Sequence, residues 1–211
     1  MNIAVCARPE QVFPPAVRLD SPLNQDGLWF SSPLDPRDEL FNQAWSIYTS
    51  AFCDFERRSL FEHMCVMRQP RYRFSAIRTK EAVVGMIGLW TLPGFCFIEH
   101  LAVAPEHRSG GYGRRAIQTL QRAVRGPIVL DVEPFGAEPD AARRVAFYQR
   151  LGFQYCGRPV TLPPYAGKAA EPSNLMAWPM ALDGESRQRV VDTLACEIYG
   201  LQPQVPNHRA V

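Results

Sequence analysis

The chain has 211 residues, of which 46% are hydrophobic and 21% charged, a balance that excludes wholesale disorder and favours one core with an extension over two full domains. Twenty-three basic residues against twenty-one acidic ones leave a net charge of +2, too weak a field to hold a polyanion, so nucleic acid is not expected as a partner. The six cysteines form no C-x-x-C pair and no close Cys/His quartet, so no metal site is expected, and free thiols predict a reducing compartment, the cytoplasm.

The N-terminus carries its first charge only at Arg8 and lacks the pattern of a secretory signal. Residues 1–36 hold six of the nineteen prolines, and residues 1–27 are expected to be an extended lead-in, with Leu28-Trp29-Phe30 as a first strand. Helical spacing begins after Pro36, where Leu40, Phe41, Ala44, Ile47, Tyr48 and Ala51 recur every three or four positions. A second helix includes Leu60, Met64 and Met67. Tyr72 to Ile77 reads as a strand, and Lys80-Glu81 as the turn after it.

Residues 82–98 carry no formal charge for seventeen positions, slightly short of a membrane span and broken by Pro93-Gly94. The segment reads as a β-hairpin buried on both faces, with strands at 83–90 and 95–103, and no membrane is expected as a partner. A helix with the apolar stripe Ala116, Ile117, Leu120, Ala123 and Val124 ends at Gly126-Pro127. The strand Ile128 to Val132 and a helix from Pro139 to Gly152 follow. Strands at 153–156 and 175–180 flank a Pro/Gly-rich loop at 157–173, and a last helix lies around 187–199. The domain is expected to span 28–182, followed by a C-terminal helix and polar tail at 183–211.

The informative stretch joins strand, loop and helix at 95–125. Gly110, Gly111 and Gly113 let backbone N–H groups converge, and the N-terminus of the following helix adds a partial positive charge. Such a nest suits a phosphate. The spacing fits neither G-x-x-x-x-G-K-[ST] nor G-x-G-x-x-G, so nucleotide hydrolysis and hydride transfer lose ground.

Val103-x-Pro105-x-x-Arg108-x-x-Gly111-x-Gly113 closely resembles the (Q/R)-x-x-G-x-(G/A) acyl-CoA loop of the GNAT superfamily of N-acetyltransferases. Phe147-Tyr148-Gln149-Arg150-Leu151-Gly152-Phe153 resembles that family's second signature at the expected distance, and the order of elements matches over roughly residues 28–182. The chain departs from the family at Ala141 and Arg144, where many members have Asn and Ala. Leu130 to Pro134 and Glu56-Arg57-Arg58 look like features of a bacterial subgroup. The resemblance implies a single α+β domain with a mixed, mostly antiparallel sheet flanked by helices. It also implies acetyl transfer from acetyl-CoA, the donor co-substrate, to a primary amine of a small molecule or protein, by direct attack in a ternary complex. Arg108, Ser109, Gly110, Gly111, Tyr112, Gly113 and Arg114 would hold the cofactor's pyrophosphate, and the backbone of Leu101, Ala102 and Val103 would pair with pantetheine. A non-catalytic acyl-CoA sensor is the alternative, and a homodimer is left open.

An alkylammonium of pKa ~10.4 lies over three units from its reactive neutral form at pH 7, a cost of about 4–5 kcal/mol, so a base or water relay is expected. Tyr148 has the chemistry to protonate the departing thiolate, or is an aromatic on a buried stripe. Glu99 leads the base candidates because a carboxylate among Phe97, Ile98 and Leu101 has its pKa raised by desolvation, unless it is bonded to its neighbours. His100, on the opposite face of an ideal strand, is a lesser base candidate, and His107 a loop residue. Asp131 and Glu133, two apart on one strand, project to one face where they would hold a cationic acceptor, or Glu133-Pro134 forms a turn. Arg115 is a further phosphate candidate or part of a solvated face, and the loop with Tyr165 is placed to border the acceptor pocket.

Overall fold

A computed structural model of the chain describes residues 27–32, 35–134, 139–163, 165, 170 and 172–201. The expected lead-in therefore lies outside the described residues apart from Gly27, as does the tail from 202 onward.

The first strand, β1 (Trp29–Ser31), precedes α1 (Glu39–Ala51), whose amide at Leu40 is capped by the Asp38 carboxylate. A capping box between Ser59 and Glu62 starts α2 (Leu60–Val66). Then β2 (Tyr72–Arg78), β3 (Val83–Leu92) and β4 (Phe95–Val103) form the expected meander, and Gly94, at φ +86°, makes the β3–β4 turn. A short 3₁₀ turn, Pro105–His107, leads to α3 (Tyr112–Ala123), β5 (Ile128–Val132) and α4 (Pro139–Arg150). The chain continues through β6 (Gln154–Tyr155), β7 (Val160–Thr161), β8 (Pro172–Trp178) and α5 (Gly184–Glu197). The β7 strand falls inside the segment read as loop, and β8 begins earlier than its apolar run because Val160 and Thr161 pair with Ser173 and Pro172.

Strands lie in the order β1-β2-β3-β4-β5-β8-β6, with β7 on β8, and β4–β5 is the parallel pair among antiparallel ones. On one face α1 and α5 bury Phe41, Tyr48, Val190 and Leu194 with Tyr72, Phe74 and Phe97. On the other, α3 and α4 bury Ile117, Leu120, Val145 and Tyr148 with Leu89, Ile98 and Leu130. Each such side chain contributes about 1.5–3 kcal/mol of burial. Two-sided cover explains why β3 and β5 read as continuous apolar runs rather than alternating ones. No helix among the described residues is long and apolar enough to cross a membrane.

One irregularity governs the centre. Gly88 pairs with His100 while its neighbour Leu89 pairs with Ile98, leaving Glu99 as an extra residue in β4. A bulge consumes half a strand period. Phe97 and Ala102 face α1, Ile98 and Leu101 face α3, and both Glu99 and His100 lie on the α1 side. The expectation that His100 points away from Glu99 is thereby corrected: the two side chains approach to 3.7 Å.

Beyond the bulge β4 parts from β5. Their pairing covers Cys96, Phe97 and Ile98 against Ile128, Val129 and Leu130 and goes no further, whereas β4 stays paired to β3 as far as Val103. The β5-facing backbone edge of Glu99 to Val103 thus has no strand partner among the described residues.

Candidate active site

The loop after β4 has the backbone that its glycines predict. Ser109 and Gly111 are both left-handed, at φ +67° and +73°, and for a serine that conformation is rare. A Cβ at Gly110 would lie 2.7 Å from the Tyr112 ring, whereas one at Gly113 would meet Phe147 and Val103 at the ordinary contact distances of 3.4 and 3.6 Å. A side chain at Gly110 would therefore force the Tyr112 ring to shift. Gly111 is the N-cap of α3 and supplies no side-chain cap, so the first amide groups of the helix are open to an anion. Arg114 folds back until its Nη2 is 3.9 Å from where a Gly111 Cβ would stand. Arg108 and Arg114 are exposed, and the Arg115 guanidinium sits 5.5 Å above the Tyr112 ring.

A cavity of about 1570 Å³ runs from this loop through the gap between β4 and β5 to the α1 face, and every candidate site residue except Gly110 and Arg115 lines it. Tyr148 is buried against Phe147 and Phe153, and burial pushes its phenol up to about 12. It is a protonated acid at neutral pH.

Glu99 differs from the expectation. Burial opposes its charge, but the Arg58 guanidinium, 2.8 Å from Oε1, outweighs that effect and holds the carboxyl well below the usual carboxylate range. The Tyr165 hydroxyl donates to the same oxygen at 3.2 Å. A carboxylate so held is a poor base, because its affinity for a proton falls when it is paired. Arg58 is itself fixed by its backbone N–H, which donates to Tyr48 Oη at 3.0 Å, and by stacking 4.4 Å over Tyr165.

Of the two carboxylates expected to hold a cation, Glu133 accepts from Arg144 Nη2 at 2.7 Å, whereas Asp131 has no arginine or lysine partner among the described residues. Burial raises Asp131 to about 6, with His100 and the Ser173 hydroxyl opposing the shift. His100 sits between Tyr48 and Phe52, at 4.8 and 4.7 Å between ring centres, and its Nε2 bonds Glu56 O at 3.0 Å. Sequence reasoning singled out neither Arg58 nor Tyr199 for the site, because a buried ion pair and an aromatic past a helix end carry no local pattern. Among the described residues, no group of His, Cys, Asp and Glu is arranged to hold a metal ion.

An open helix N-terminus, a split between parallel strands and a buried phenol lining the same cavity fit an acyl-CoA-dependent transferase. The comparisons agree. The model of the acetyltransferase (GNAT) family matches residues 37–153, more than half of the chain, which therefore belongs to that family of acetyltransferases. Among solved structures it is similar to an acetyltransferase assigned to the GNAT family from Bacteroides thetaiotaomicron, at 29% identity and a TM-score of 0.75 over 82% of this chain and 99% of that one. An acetyltransferase from Thermus thermophilus shares the fold at 19% identity and a TM-score of 0.53, over 72% and 97%. A spermidine N-acetyltransferase chimera of Vibrio cholerae SpeG and hSSAT shares it at 16% and 0.51, over 77% and 99%. A search among curated proteins returns no match.

Proposed function

We propose that the protein moves an acetyl group from acetyl-CoA to a primary amine by direct attack in a ternary complex. The observation that carries this reading is the unpaired β4 edge at Glu99 to Val103, which ends at the open N-terminus of α3 and shares one cavity with Tyr148. In this arrangement the loop amides, Arg108 and Arg114 hold the pyrophosphate, and the backbone of Leu101, Ala102 and Val103 pairs with the pantetheine arm. When bound, acetyl-CoA supplies the activated thioester carbonyl. Tyr148 gives its proton to the departing sulfur, a role worth typically ~10²–10⁴ in rate. The acceptor enters from the α1 face, where the cavity passes Phe52, His100, Asp131 and Tyr165. The free thiols at Cys53, Cys65, Cys96, Cys156 and Cys196 fit a cytoplasmic enzyme.

A panel of amines offered with acetyl-CoA, with release of the CoA thiol measured, tests the proposal. Release that depends on one amine class is the expected result. Binding of acetyl-CoA with no release for any amine would make the protein an acyl-CoA sensor instead.

A further inference from the structure

We propose that the acceptor is a monocationic primary amine with an apolar body, and that Asp131 both holds its ammonium group and takes its proton. The inference rests on the acetyl-transfer reading above and narrows it.

The first argument concerns hydrogen-bond capacity. Glu99 Oε2 and His100 Nδ1 lie 3.7 Å apart in side chains 3% and 4% exposed, and neither has a hydrogen-bond partner. The Glu56 carbonyl can only accept, so His100 Nε2 is the donor in their bond and does not compete for the carboxylates. Asp131 stands on β5 immediately after Leu130, the last residue paired to β4, and lines the same cavity. The unpartnered Glu99 Oε2 and the Asp131 carboxylate therefore line one cavity. An alkylammonium brings three N–H donors to the oxygens of these two carboxylates.

The second argument is a charge balance over the carboxylates that line the cavity. Glu99 is bonded to Arg58, Glu133 to Arg144 and Asp140 to Arg143, while Glu56 accepts from the Cys53 backbone and thiol. Asp131 and Glu56 are the two without an arginine or lysine partner among the described residues, and Glu56 is already held by Cys53. A single bound cation neutralises Asp131, and a second ammonium of a polyamine would meet only carboxylates that are already engaged by an arginine or by Cys53. The walls around this point are Phe52, Leu162, Tyr165 and Tyr199, which suit a hydrocarbon or aromatic body.

The groups facing Asp131 are Glu99 and His100 from β4, Ser173 from β8, Tyr148 from α4 and Tyr199 beyond α5, with Arg58 behind Glu99 and Arg144 near Tyr148. In that setting its carboxyl is raised to about 6 by burial, closer to the operating pH of a base than the paired Glu99. Asp131 accepts one proton from the ammonium, and the freed lone pair forms the N–C bond as the C–S bond breaks. Tyr148 protonates the sulfur. The second nitrogen proton restores the Tyr148 phenol, and Asp131 releases its own to water, so that ammonium and thioester yield amide, thiol and one proton.

Calorimetry with 2-phenylethylamine titrated into the protein loaded with CoA separates binding from turnover. Expected are measurable binding to the wild type, at least tenfold weaker binding to Asp131→Asn, and less than threefold change for Glu133→Gln. Spermidine and 1,4-diaminobutane should bind no more tightly. In turnover, wild-type kcat/KM for 2-phenylethylamine should rise with pH through an apparent pKa near 6, and Asp131→Asn should lose that limb and about 10² in kcat/KM, whereas Glu133→Gln should keep it. If Asp131→Asn does not fold, Asp131→Glu should retain the limb at a shifted position. Absent binding of 2-phenylethylamine, a tenfold preference for spermidine, or an unaltered limb in Asp131→Asn overturns the proposal. Failure of every amine to release CoA while 2-phenylethylamine still binds through Asp131 would strike the acetyl-transfer reading and leave the binding assignment standing.

Discussion

Arg58 Nη2 lies 2.8 Å from Glu99 Oε1 in a pair of side chains only 7% and 3% exposed, so each charge is stable in the interior because of the other. Removing one partner strands the remaining charge, which costs about 3–5 kcal/mol, whereas replacing both with apolar groups is often neutral. Arg58→Met should therefore lower unfolding stability by that amount in urea titrations, and the double change Arg58→Met/Glu99→Leu should restore most of it. A single-variant loss below about 1 kcal/mol, the range of exposed pairs, would show that the pair is not structural.

The loop prediction uses ligand linkage. Acetyl-CoA at ~100 times its dissociation constant should add about 2.7 kcal/mol and raise Tm by several degrees. Gly111→Glu places a carboxylate where the phosphates bind and forces a side chain onto a left-handed residue at φ +73°. The variant is expected to melt somewhat earlier and to gain nothing from acetyl-CoA. A full ligand-induced shift in a folded Gly111→Glu protein would remove the loop from the binding site.

For Tyr148, the variant Tyr148→Phe keeps the ring against Phe147 and Phe153 and deletes the proton. Turnover should fall ~10²-fold or more with little change in acetyl-CoA affinity. Because burial pushes the phenol up to about 12, no falling limb from this group is expected below about pH 11. Unchanged turnover with chemistry rate-limiting would leave Tyr148 as a packing residue.

Most of the chain is legible in its sequence for identifiable reasons. The hairpin of β3 and β4 is marked by Pro93-Gly94 between apolar runs, and α3 by its stripe and by the glycines before it. The bulge is not legible, since it depends on the register that β3 imposes on β4 and shifts only the phase of Glu99 and His100. That one residue decides which side chains meet. Glu99 and Asp131 stand out from the sequence as carboxylates in buried strands, but their partners differ through Arg58, forty-one positions before Glu99. Short β7 escapes notice because two residues carry no period and its pairing with β8 is a tertiary event.

The last prediction concerns acid stability. His63 is fully buried among Phe41, Trp45, Tyr48 and Phe74, and neither ring nitrogen has a hydrogen-bond partner. Burial, aided by the positive charge of Arg58, pushes it down to about 3, against about 6.5 in an unfolded chain. Between these values the unfolded state binds the extra proton, so the stability contributed by neutral His63 is complete above pH ~6.5 and is lost as pH falls towards 3. Asp131 has the opposite sign: raised to about 6, it favours the folded state on the acid side and less so as pH rises through that value. The two effects are separated by His63→Phe, which keeps a ring of similar shape and has nothing to protonate. Wild-type unfolding free energy, measured in urea from pH 7.5 to 4.5, should carry a His63 contribution approaching about 1.4 kcal/mol per pH unit. The variant should be less sensitive to acid by that amount. Identical pH slopes for the two proteins would mean that His63 is protonated without opening the core.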